Sequence, residues 1–549
     1  LITKAMIEIP PKFANQPPVN PEVRKKMQTK IGGQDWPGAS GLAEDVRYYG
    51  RWMRDEAEKI IGHLYPKAKL PNGKEATVIA WIWARTVKCP NPACGAKMPL
   101  VRSFSLSTKK GKNAWVEPVI DPGAKTVRFE VKTGEGSPPD GTVNRQGAHC
   151  IFCGTPVPFN HVRAEGQAGR MGAQLMAIVT EGTRERVYRP PDEAHENVAA
   201  KAEPEWAPET DLPEQALGFR VQLYGMIKHR DLFTPRQLVA LTIFSDLAGE
   251  ARGRALQDAI EVGLPDDGIG VNDGGKNAQA YAGAVATYLG LNVSRLANRS
   301  STICFWDTGG EKVQQVFARQ SLPMTWDFVE ANPFSNSSGN WIGQLKFLVE
   351  NIESAPCLGL IAGKVTQLDA ASAEFSLNSY LVATDPPYYD NIGYADLSDF
   401  FYIWLRRSLG TVYPGIFSTL LVPKAQELVA TPYRFNGDKE KARYFFENGL
   451  RKAFSRIYRV SHLDYPFTIY YAFKQSENSN DKRGHSSVVS TGWETMLEGL
   501  IQSGFQINGT WPMRTEFGKG LKLRVNALAS SIVLVCRPRP EDAPLTTRR

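Results

Sequence analysis

The sequence has no long apolar run. No uninterrupted hydrophobic stretch approaches the roughly 20 residues that an α-helix needs to cross a bilayer, which excludes an ordinary transmembrane helix. The first residues, LITKAMIEIPPKF, also lack the charged start, apolar centre and small-residue cleavage site of a signal peptide. We therefore predict a cytoplasmic protein with no membrane partner. Because the first residue is Leu1, we also expect that the chain is part of a longer protein.

Cysteine and excess charge are both scarce. The 549 residues include seven cysteines, too few for a disulfide scaffold, and four of them stand in two close pairs. This usage favours a reducing compartment and a metal site. The formal net charge of +8 is a mild bias over such a length, so it favours a polyanionic partner only weakly.

The length exceeds what one hydrophobic core supports, so several domains are expected. The chain shows different patterns in turn: apolar residues at helical spacing, strand-like alternation, and acidic, proline-rich composition. Thr234 is predicted as the N-cap of a helix that begins at Pro235. The predicted ranges are a helical segment (1–85), a small β module (86–165), a linker (166–215), a helical insertion (216–345) and an α/β region (346–549).

The α/β region is predicted from short apolar runs that alternate with helical patterns. GKVTQLDA, SYLVATDPPYY and YPFTIYYAFKQSE are expected to be strands. A helix closed by Gly504 follows, and FQINGTWPM and SSIVLVCRP are then expected to pair as a hairpin.

The two cysteine pairs have the pattern of a zinc ribbon. Cys89 and Cys94 lie in CPNPACG, Cys150 and Cys153 lie in CIFCG, and each second cysteine precedes a glycine that tolerates a tight turn. Four thiolates suit a tetrahedral, structural Zn2+ and leave no open position for a reactive water. The alternative is a set of unrelated buried cysteines.

Other residues near the pairs are weaker candidates. His149 and His161 could replace a zinc ligand, although a histidine beside a cysteine pair is more often incidental. Cys304, Cys357 and Cys536 are scattered, and we expect them to be small core residues.

Residues 385–388, Asp-Pro-Pro-Tyr, follow an apolar run and place a carboxylate and an aromatic ring at a strand end. An exocyclic amine such as N6 of adenine is a poor nucleophile until acceptors hold its two hydrogens. Asp385 and the carbonyl of Pro386 can accept them, while Tyr388 stacks on the base. Pro386 and Pro387 stiffen the loop. A base in a duplex reaches such a pocket only when it is flipped out.

Longer motifs accompany this tetrapeptide: TDPPYYDNIGYADLSDFFYIWLRR, YYAFKQSE, TGWETMLEGLI, TWPMRTE and NALASSIVLVCRPRP. With the cysteine pairs, they resemble the zinc-ribbon-containing adenine-specific DNA methylases over nearly the whole chain. The resemblance implies an α/β, Rossmann-like class I methyltransferase sheet with an inserted zinc ribbon and helical segment. It further implies S-adenosylmethionine as the methyl donor and double-stranded DNA as a partner.

Residue roles follow from the same resemblance. It implies that Asp385, Pro386, Pro387 and Tyr388 form motif IV, which binds the target amine and base. Asp369 and Ala370 resemble motif III, which contacts the adenine of the cofactor. Residues 1–85 would continue the methyltransferase domain and residues up to about 345 would position DNA, with the basic stretch GMIKHRDLFTPRQ as a candidate for phosphate contacts. Proteins of a restriction or phage-defence system become expected partners.

One family motif is missing. These enzymes carry a glycine-rich Phe-x-Gly-x-Gly turn, and the nearest cluster here, GIGVNDGG at 268–275, has no clear preceding strand and is predicted as a loop. We therefore expect a sheet without its first strands and an upstream cofactor-binding half. Two alternatives stay open. Cytosine N4 offers the same type of amine as a target. Alternatively, the chain is a nucleic-acid-binding fragment that is non-catalytic until it is joined to an upstream cofactor-binding half.

Overall fold

The protein is described by a computed structural model. Its described residues are 1–28, 35–70, 73–183, 185–216, 218–357, 361–374, 380–389, 392–473, 491–513, 530–540 and 542–543. They form two compact units. The first consists of Leu1–Glu214, Gly218–Val365 and Leu397–Val422, and the second of Gln215–Leu217, Thr366–Asp396 and Pro423–Arg549.

The first unit has a largely antiparallel β framework. Its main sheet has the strand order β11-β10-β3-β14, and β4 pairs with β3 as well. A three-stranded sheet has the order β5-β6-β7, and β1-β2, β8-β9 and β12-β13 are two-stranded. The strands are β1 (Ala68–Lys69), β2 (Glu75–Ala76), β3 (Val78–Lys88), β4 (Lys97–Leu100), β5 (Ser105–Ser107), β6 (Ala114–Asp121), β7 (Thr126–Thr133), β8 (Ala148–His149), β9 (Pro156–Val157), β10 (Gly172–Glu181), β11 (Arg186–Arg189), β12 (Trp306–Asp307), β13 (Lys312–Val313) and β14 (Asp327–Ala331).

Helices complete the first unit. α7 is buried on almost every side and packs against α6 and α8, while α3 packs against α6, α7 and α8. The helices are α1 (Ile9–Lys12), α2 (Pro21–Gln28), α3 (Ser40–Ile61), α4 (Phe159–Gln167), α5 (Glu193–Ala200), α6 (Pro235–Glu261), α7 (Ala278–Ala297) and α8 (Trp341–Glu353); α9 (Tyr394–Leu409) contributes residues to both units. Short helical turns occur at Lys4–Glu8, Gly62–Leu64, Val221–Tyr224, His229–Leu232, Val271–Asp273 and Pro432–Phe435.

The predicted start of α6 is confirmed. The Thr234 hydroxyl accepts the amide hydrogen of Gln237, the Gln237 side chain accepts that of Thr234, and Pro235 takes the first helical position. This reciprocal pair is a capping box, which satisfies two amides that the helix itself cannot. The cluster at 268–275, predicted as a loop, forms a loop with a single short 3₁₀ turn.

The linker prediction for 166–215 is wrong for much of that range. β10 pairs with β3 from Gly172↔Thr86 to Thr180↔Val78, and α5 follows after β11. His195 on α5 is buried and accepts a hydrogen bond from the Trp81 indole at 3.0 Å. The acidic, proline-rich composition of 190–215 therefore hides a segment that packs on the sheet. Similarly, the range 1–85, predicted as helical, includes the start of the central strand β3.

The second unit has one four-stranded sheet, with the order β15-β16-β18-β17. β15 and β16 are parallel, with Ala383 opposite Thr468, whereas β16 and β17 both run antiparallel to β18. Its elements are β15 (Ala383–Thr384), α10 (Lys439–Val460), β16 (Phe467–Phe473), α11 (Thr491–Gln502), β17 (Phe505–Met513) and β18 (Ser530–Pro538).

Four of the five strand predictions in this region are confirmed and one is wrong. SYLVATDPPYY contains the short strand β15, and YPFTIYYAFKQSE contains β16. FQINGTWPM and SSIVLVCRP pair as the antiparallel strands β17 and β18, after a helix that ends before Gly504. GKVTQLDA forms no strand. The amides of Gly363 and Val365 instead bind the Ile7 carbonyl and the Glu8 carboxylate, so they make no strand ladder.

The predicted α/β class is confirmed at the level of a mixed α/β protein with several small sheets and helices. Among the residues that the structure describes, no helix combines the length and apolar character needed to cross a membrane.

Candidate functional site

The Asp-Pro-Pro-Tyr tetrapeptide follows β15 directly. β15 is held by its parallel pairing with β16, where the Thr468 amide donates to the Val382 carbonyl at 3.0 Å. Asp385 is therefore the first residue beyond the carboxyl end of a parallel strand, the edge at which open α/β sheets bind ligands. Its side chain is exposed, while Pro386, Pro387 and Tyr388 are half-buried.

Asp385 and Tyr388 are in direct contact. The phenol of Tyr388 donates a hydrogen bond to Oδ1 of Asp385 at 3.2 Å. The Tyr388 ring meets the Tyr471 ring of β16 edge to face, with the centroids 5.5 Å apart. The strand pair thus positions both the acceptor and the ring.

The next residue fixes the loop to the rest of the unit. The Tyr389 carbonyl accepts the amide hydrogen of Ala430 at 2.8 Å, and its ring packs edge-on against Phe446 of α10. A Cβ atom on Gly492, in the first turn of α11, would lie 2.9 Å from Cβ of Tyr389. Because real Cβ contacts are not that short, the close approach of α11 to the loop requires glycine at this position.

A buried charge network anchors the residues after the loop. Arg434 lies 3.0 Å from an oxygen of Asp396 and 2.7 Å from an oxygen of Glu427. Tyr433 donates a further hydrogen bond to Asp396 at 2.7 Å, and Glu427 accepts the amide hydrogen of Ala395 at 2.9 Å. We call Asp396, Glu427, Tyr433 and Arg434 the anchor network. It ties the first turn of α9 to the segment that precedes α10.

The anchor network shifts the protonation equilibria of its members. Burial would lower the pKa of Arg434, but the carboxylates of Glu427 and Asp396 outweigh it and raise that pKa. Burial, together with the Asp396 carboxylate, raises the pKa of Tyr433 to about 12. The guanidinium is therefore charged and the Tyr433 phenol neutral throughout the physiological range.

Tyr394 links the network to Asp385. It is the first residue of α9 and is half exposed. Partial burial and then the carboxylates of Asp385 and Glu427 raise the pKa of its phenol. The Tyr394 phenol is thus coupled electrostatically to Asp385 of the loop and to Glu427 of the anchor network.

Asp369 and Ala370 do not join this loop. Asp369 accepts hydrogen bonds from the Ser372 hydroxyl at 2.6 Å and the Ala371 amide at 3.0 Å, within its own turn. These bonds, in that order, lower the pKa of the Asp369 carboxyl, although partial burial opposes them. Asp369 lines a cavity of about 800 Å³ beside α10, which none of residues 385–388 lines, and Ala370 is exposed.

The four predicted zinc ligands come together in the first unit. Their sulfur atoms all lie within 4.8 Å of one another, with Cys89 and Cys153 3.8 Å apart and Cys94 and Cys150 also 3.8 Å apart. Each pair occupies the turn of a hairpin, one between β3 and β4 and the other between β8 and β9. The cluster can hold a metal ion.

The local turns explain how the four sulfurs converge. Gly95 and Gly154 both have positive φ, 59° and 71°, as expected for the glycines that follow the second cysteine of each pair. His161 bonds the Lys88 carbonyl through Nε2 at 2.8 Å and is not in the cluster. The three remaining cysteines, Cys304, Cys357 and Cys536, are buried as expected.

The basic stretch at 225–237 is less available than its composition indicates. Lys228 lies 3.4 Å from Asp211, Arg230 is paired with Glu209, and the fully buried Arg236 lies 2.7 Å from Glu330. These three cations are therefore already neutralised.

Sequence reasoning missed the anchor network and Tyr394. Asp396 and Arg434 are 38 positions apart, so no local spacing pattern connects them. Tyr394 falls in a helix whose aromatic residues fit a helical core pattern, which masks a role at the loop.

The fold and sites describe a mixed α/β protein with a four-cysteine cluster and a carboxylate–tyrosine loop at a parallel strand end. No protein-family model, no curated protein and no solved structure matches the chain.

Proposed function

We propose that the chain is the catalytic part of an S-adenosylmethionine-dependent DNA methyltransferase acting on N6 of a flipped adenine. The observation that carries the proposal is the exposed Asp385 carboxylate at the carboxyl end of β15, in contact with the Tyr388 phenol. An acceptor for the amine and a platform for the base are thus side by side at the end of a paired strand.

The contacts of the loop suit Asp385 to accept a hydrogen bond from the target amine better than to act as a strong base. The Tyr388 hydrogen bond occupies one oxygen of Asp385, which leaves lone pairs for one N–H of the target amine. The Pro386 carbonyl would accept the second N–H. Asp385 would then stabilise the positive charge that develops on nitrogen, while the ring of Tyr388 holds the face of the base.

The second unit supports a Rossmann-like sheet. The chain leaves β15, passes through helical segments that include α10, and returns in the parallel strand β16. Parallel neighbours need such crossovers, and doubly wound sheets often carry antiparallel strands at one edge, as β18 and β17 do here.

The donor side rests on the resemblance alone. Asp369, one of the two residues proposed to contact S-adenosylmethionine, lines a cavity that none of residues 385–388 lines, and its carboxylate is engaged within its own turn. Among the described residues, Asp369 and Ala370 do not make a complete donor site together with the loop. When bound, S-adenosylmethionine would supply the methyl group.

The cysteine cluster suits a structural Zn2+. A tetrahedron with Zn–S distances of about 2.3 Å has S···S edges of about 3.8 Å, the separation found in both close contacts. Cys89, Cys94, Cys150 and Cys153 would hold the ion and join the two hairpins. Their four thiolates leave no coordination position for substrate.

The test is transfer of a labelled methyl group from S-adenosylmethionine to unmodified duplex DNA. Wild type is compared with Asp385→Ala, which removes the carboxylate, and with Asp464→Asn, a charge-removing control at a highly exposed aspartate of the same unit. We expect loss of transfer by at least about a hundredfold in the first variant only.

The outcomes separate the alternatives. Chromatography of the digested DNA distinguishes N6-methyladenine from N4-methylcytosine, and the latter product would replace adenine with cytosine as the target. Transfer undiminished in Asp385→Ala would exclude the proposed role of the loop. No transfer by wild type, with DNA binding retained, would favour the non-catalytic alternative for this chain.

A further inference from the structure

The second half of α10 lines a cavity of about 360 Å³. The opposite wall is the turn at Ala371 and Ser372. Among the residues that the structure describes, no aromatic side chain lines the cavity. The residues of α10 that do are Arg451, Lys452, Ser455, Arg456 and Arg459.

Helical geometry places these cations together. Lys452, Arg456 and Arg459 follow the spacing i, i+4, i+7, so they lie on one face of α10, with Arg451 beside Lys452. At a rise of 1.5 Å per residue, the row from Arg451 to Arg459 is about 12 Å long. A row of this length can face more than one phosphate, since successive phosphates of one strand are about 3.4 Å apart along the axis.

Arg456 has a structural role in the cavity. Its guanidinium donates to the carbonyls of Ala371 at 2.9 Å and Ala373 at 2.7 Å, and these bonds hold the turn that forms the opposite wall. The cavity is therefore built by the chain's own contacts, and Arg456 is unavailable as a free ligand.

The other three cations differ. Arg451, Lys452 and Arg459 are exposed, and Arg451 donates to the neutral side chain of Asn448 at 3.1 Å. Within the part of the chain that the structure describes, no carboxylate forms an ion pair with any of the three. This contrasts with Lys228 and Arg230, which are paired with acidic side chains.

Lys452 helps to lower the pKa of the nearby Asp369 carboxyl, but positive side chains outnumber acidic ones around this cavity, and such concentrated positive charge attracts an anion. The lining that the structure describes has charged and small polar groups and no ring, which favours a phosphate over a nucleobase, since proteins commonly stack a base on a ring. Phosphate contacts from arginine and lysine position a nucleic acid without reading its sequence.

We propose that Arg451, Lys452 and Arg459 form a binding site for the phosphate backbone of duplex DNA. The choice of DNA rests on the proposed function, whereas the preference for phosphate rests on the cavity itself. The site would supply affinity and orientation, while residues 385–388 hold the target base.

The test is binding of a mixed-sequence, fluorescently labelled duplex of about 20 base pairs, measured by anisotropy over a series of salt concentrations without S-adenosylmethionine. The variant replaces Arg451, Lys452 and Arg459 by Gln and keeps Arg456. The control replaces Lys346, Lys364 and Lys439, three exposed lysines that do not line the cavity, by Gln, which removes the same charge. Melting curves check that both variants fold.

We expect the cavity variant to bind at least about tenfold more weakly, with the slope of log affinity against log salt reduced by about one to three. The control should retain the wild-type slope. Unchanged binding in the cavity variant, or equal weakening in both variants, would overturn the proposal. The same holds if inorganic phosphate or ATP binds the wild-type cavity while the variant keeps full DNA affinity, because the site would then serve a small molecule.

Failure of this inference is distinguishable from failure of the proposed function. If wild type transfers methyl groups and the cavity variant binds DNA normally, the function stands and the phosphate site does not. If the variant loses DNA affinity while wild type transfers no methyl group, the phosphate site stands and the proposed catalysis does not. Absence of DNA binding by wild type would overturn the site.

Discussion

The phenol of Tyr388 donates a hydrogen bond to Oδ1 of Asp385 at 3.2 Å. The proposed base platform and the proposed amine acceptor are therefore joined before any substrate arrives. This contact makes the two functions of Tyr388, its hydroxyl and its ring, separable by mutation.

Tyr388→Phe keeps the ring and removes the hydrogen bond. A single hydrogen bond to a charged group contributes about 1.5–3 kcal/mol when buried, and this one is partly exposed, so we expect a loss of about tenfold in kcat/KM for methyl transfer. Tyr388→Ala also removes stacking, worth about 1–3 kcal/mol per base, and should lose a further factor of about ten or more.

Methyl-transfer kinetics with the two variants, and fluorescence of 2-aminopurine placed at the target position, provide the measurements. Tyr470→Phe, at a tyrosine of β16 that is 47% exposed, is the control. Equal activity of the Phe and Ala variants would show that the ring does not hold the base.

We expect that removing a charge from the anchor network lowers the free energy of unfolding more than removing a surface charge does. In Arg434→Ala, Asp396 and Glu427 lose the cation that they share. Because the Arg434 side chain is 14% exposed, we expect a loss of about 2–3 kcal/mol, somewhat below the value for fully buried pairs. The melting temperature should fall by several degrees, and methyl transfer should fall with it as Tyr394 and the loop lose their support.

Arg443→Ala is the matched control for this variant, because Arg443 is an exposed arginine of α10 whose ion pair with Glu440 lies at the surface. Its melting temperature should remain close to that of wild type. If both arginine variants melt alike, the anchor network has no special contribution.

Local signals in the sequence predicted local structure well. The Thr234 N-cap, the tight turns at Gly95 and Gly154, and the hairpin of β17 and β18 each depend on residues that are close in sequence or on clear alternation. The cysteine cluster could also be predicted from the sequence, because two closely spaced pairs leave few other interpretations.

Long-range contacts could not be predicted from such local signals. Arg434 meets Asp396 across 38 positions, and His195 accepts from Trp81 across 114, so neither contact has a periodic signature. The polar composition of 190–215 favoured a linker because composition does not report the pairing that precedes it in β10. The predicted strand at 363–370 failed because its amides at Gly363 and Val365 bind Ile7 and Glu8.

Asp327 gives the first unit a pH-dependent stability. Burial raises the pKa of this carboxyl to about 6, and the Arg102 amide hydrogen bond only partly opposes the shift. The folded-state pKa lies above the ordinary value near 3.8, so protonation of Asp327 favours the folded state. This contribution to the free energy of unfolding is fully present below about pH 3.8. It is lost as the pH rises to about 6.

Asp327→Asn keeps an oxygen for the Arg102 amide but cannot ionise. The variant should therefore gain stability relative to wild type between pH 4 and pH 7, by up to about 3 kcal/mol from a shift of roughly two pH units. Melting temperatures across this range measure the gain, with Asp464→Asn as an exposed control. A constant difference between variant and wild type at all pH values would contradict the assignment.

The cysteine cluster predicts about one tightly held zinc per chain, because four thiolates complete one tetrahedral site. Cys150→Ser should lose most of the metal, and the hairpins at 89–96 and 150–155 should then exchange their amide hydrogens faster. Metal analysis and hydrogen exchange measure the two effects. Cys357→Ser, at a buried cysteine outside the cluster, should keep its zinc. A zinc content near zero in carefully prepared wild type would refute the site. Equal zinc contents in wild type and both variants would also refute it, because zinc held only by adventitious surface groups does not depend on Cys150.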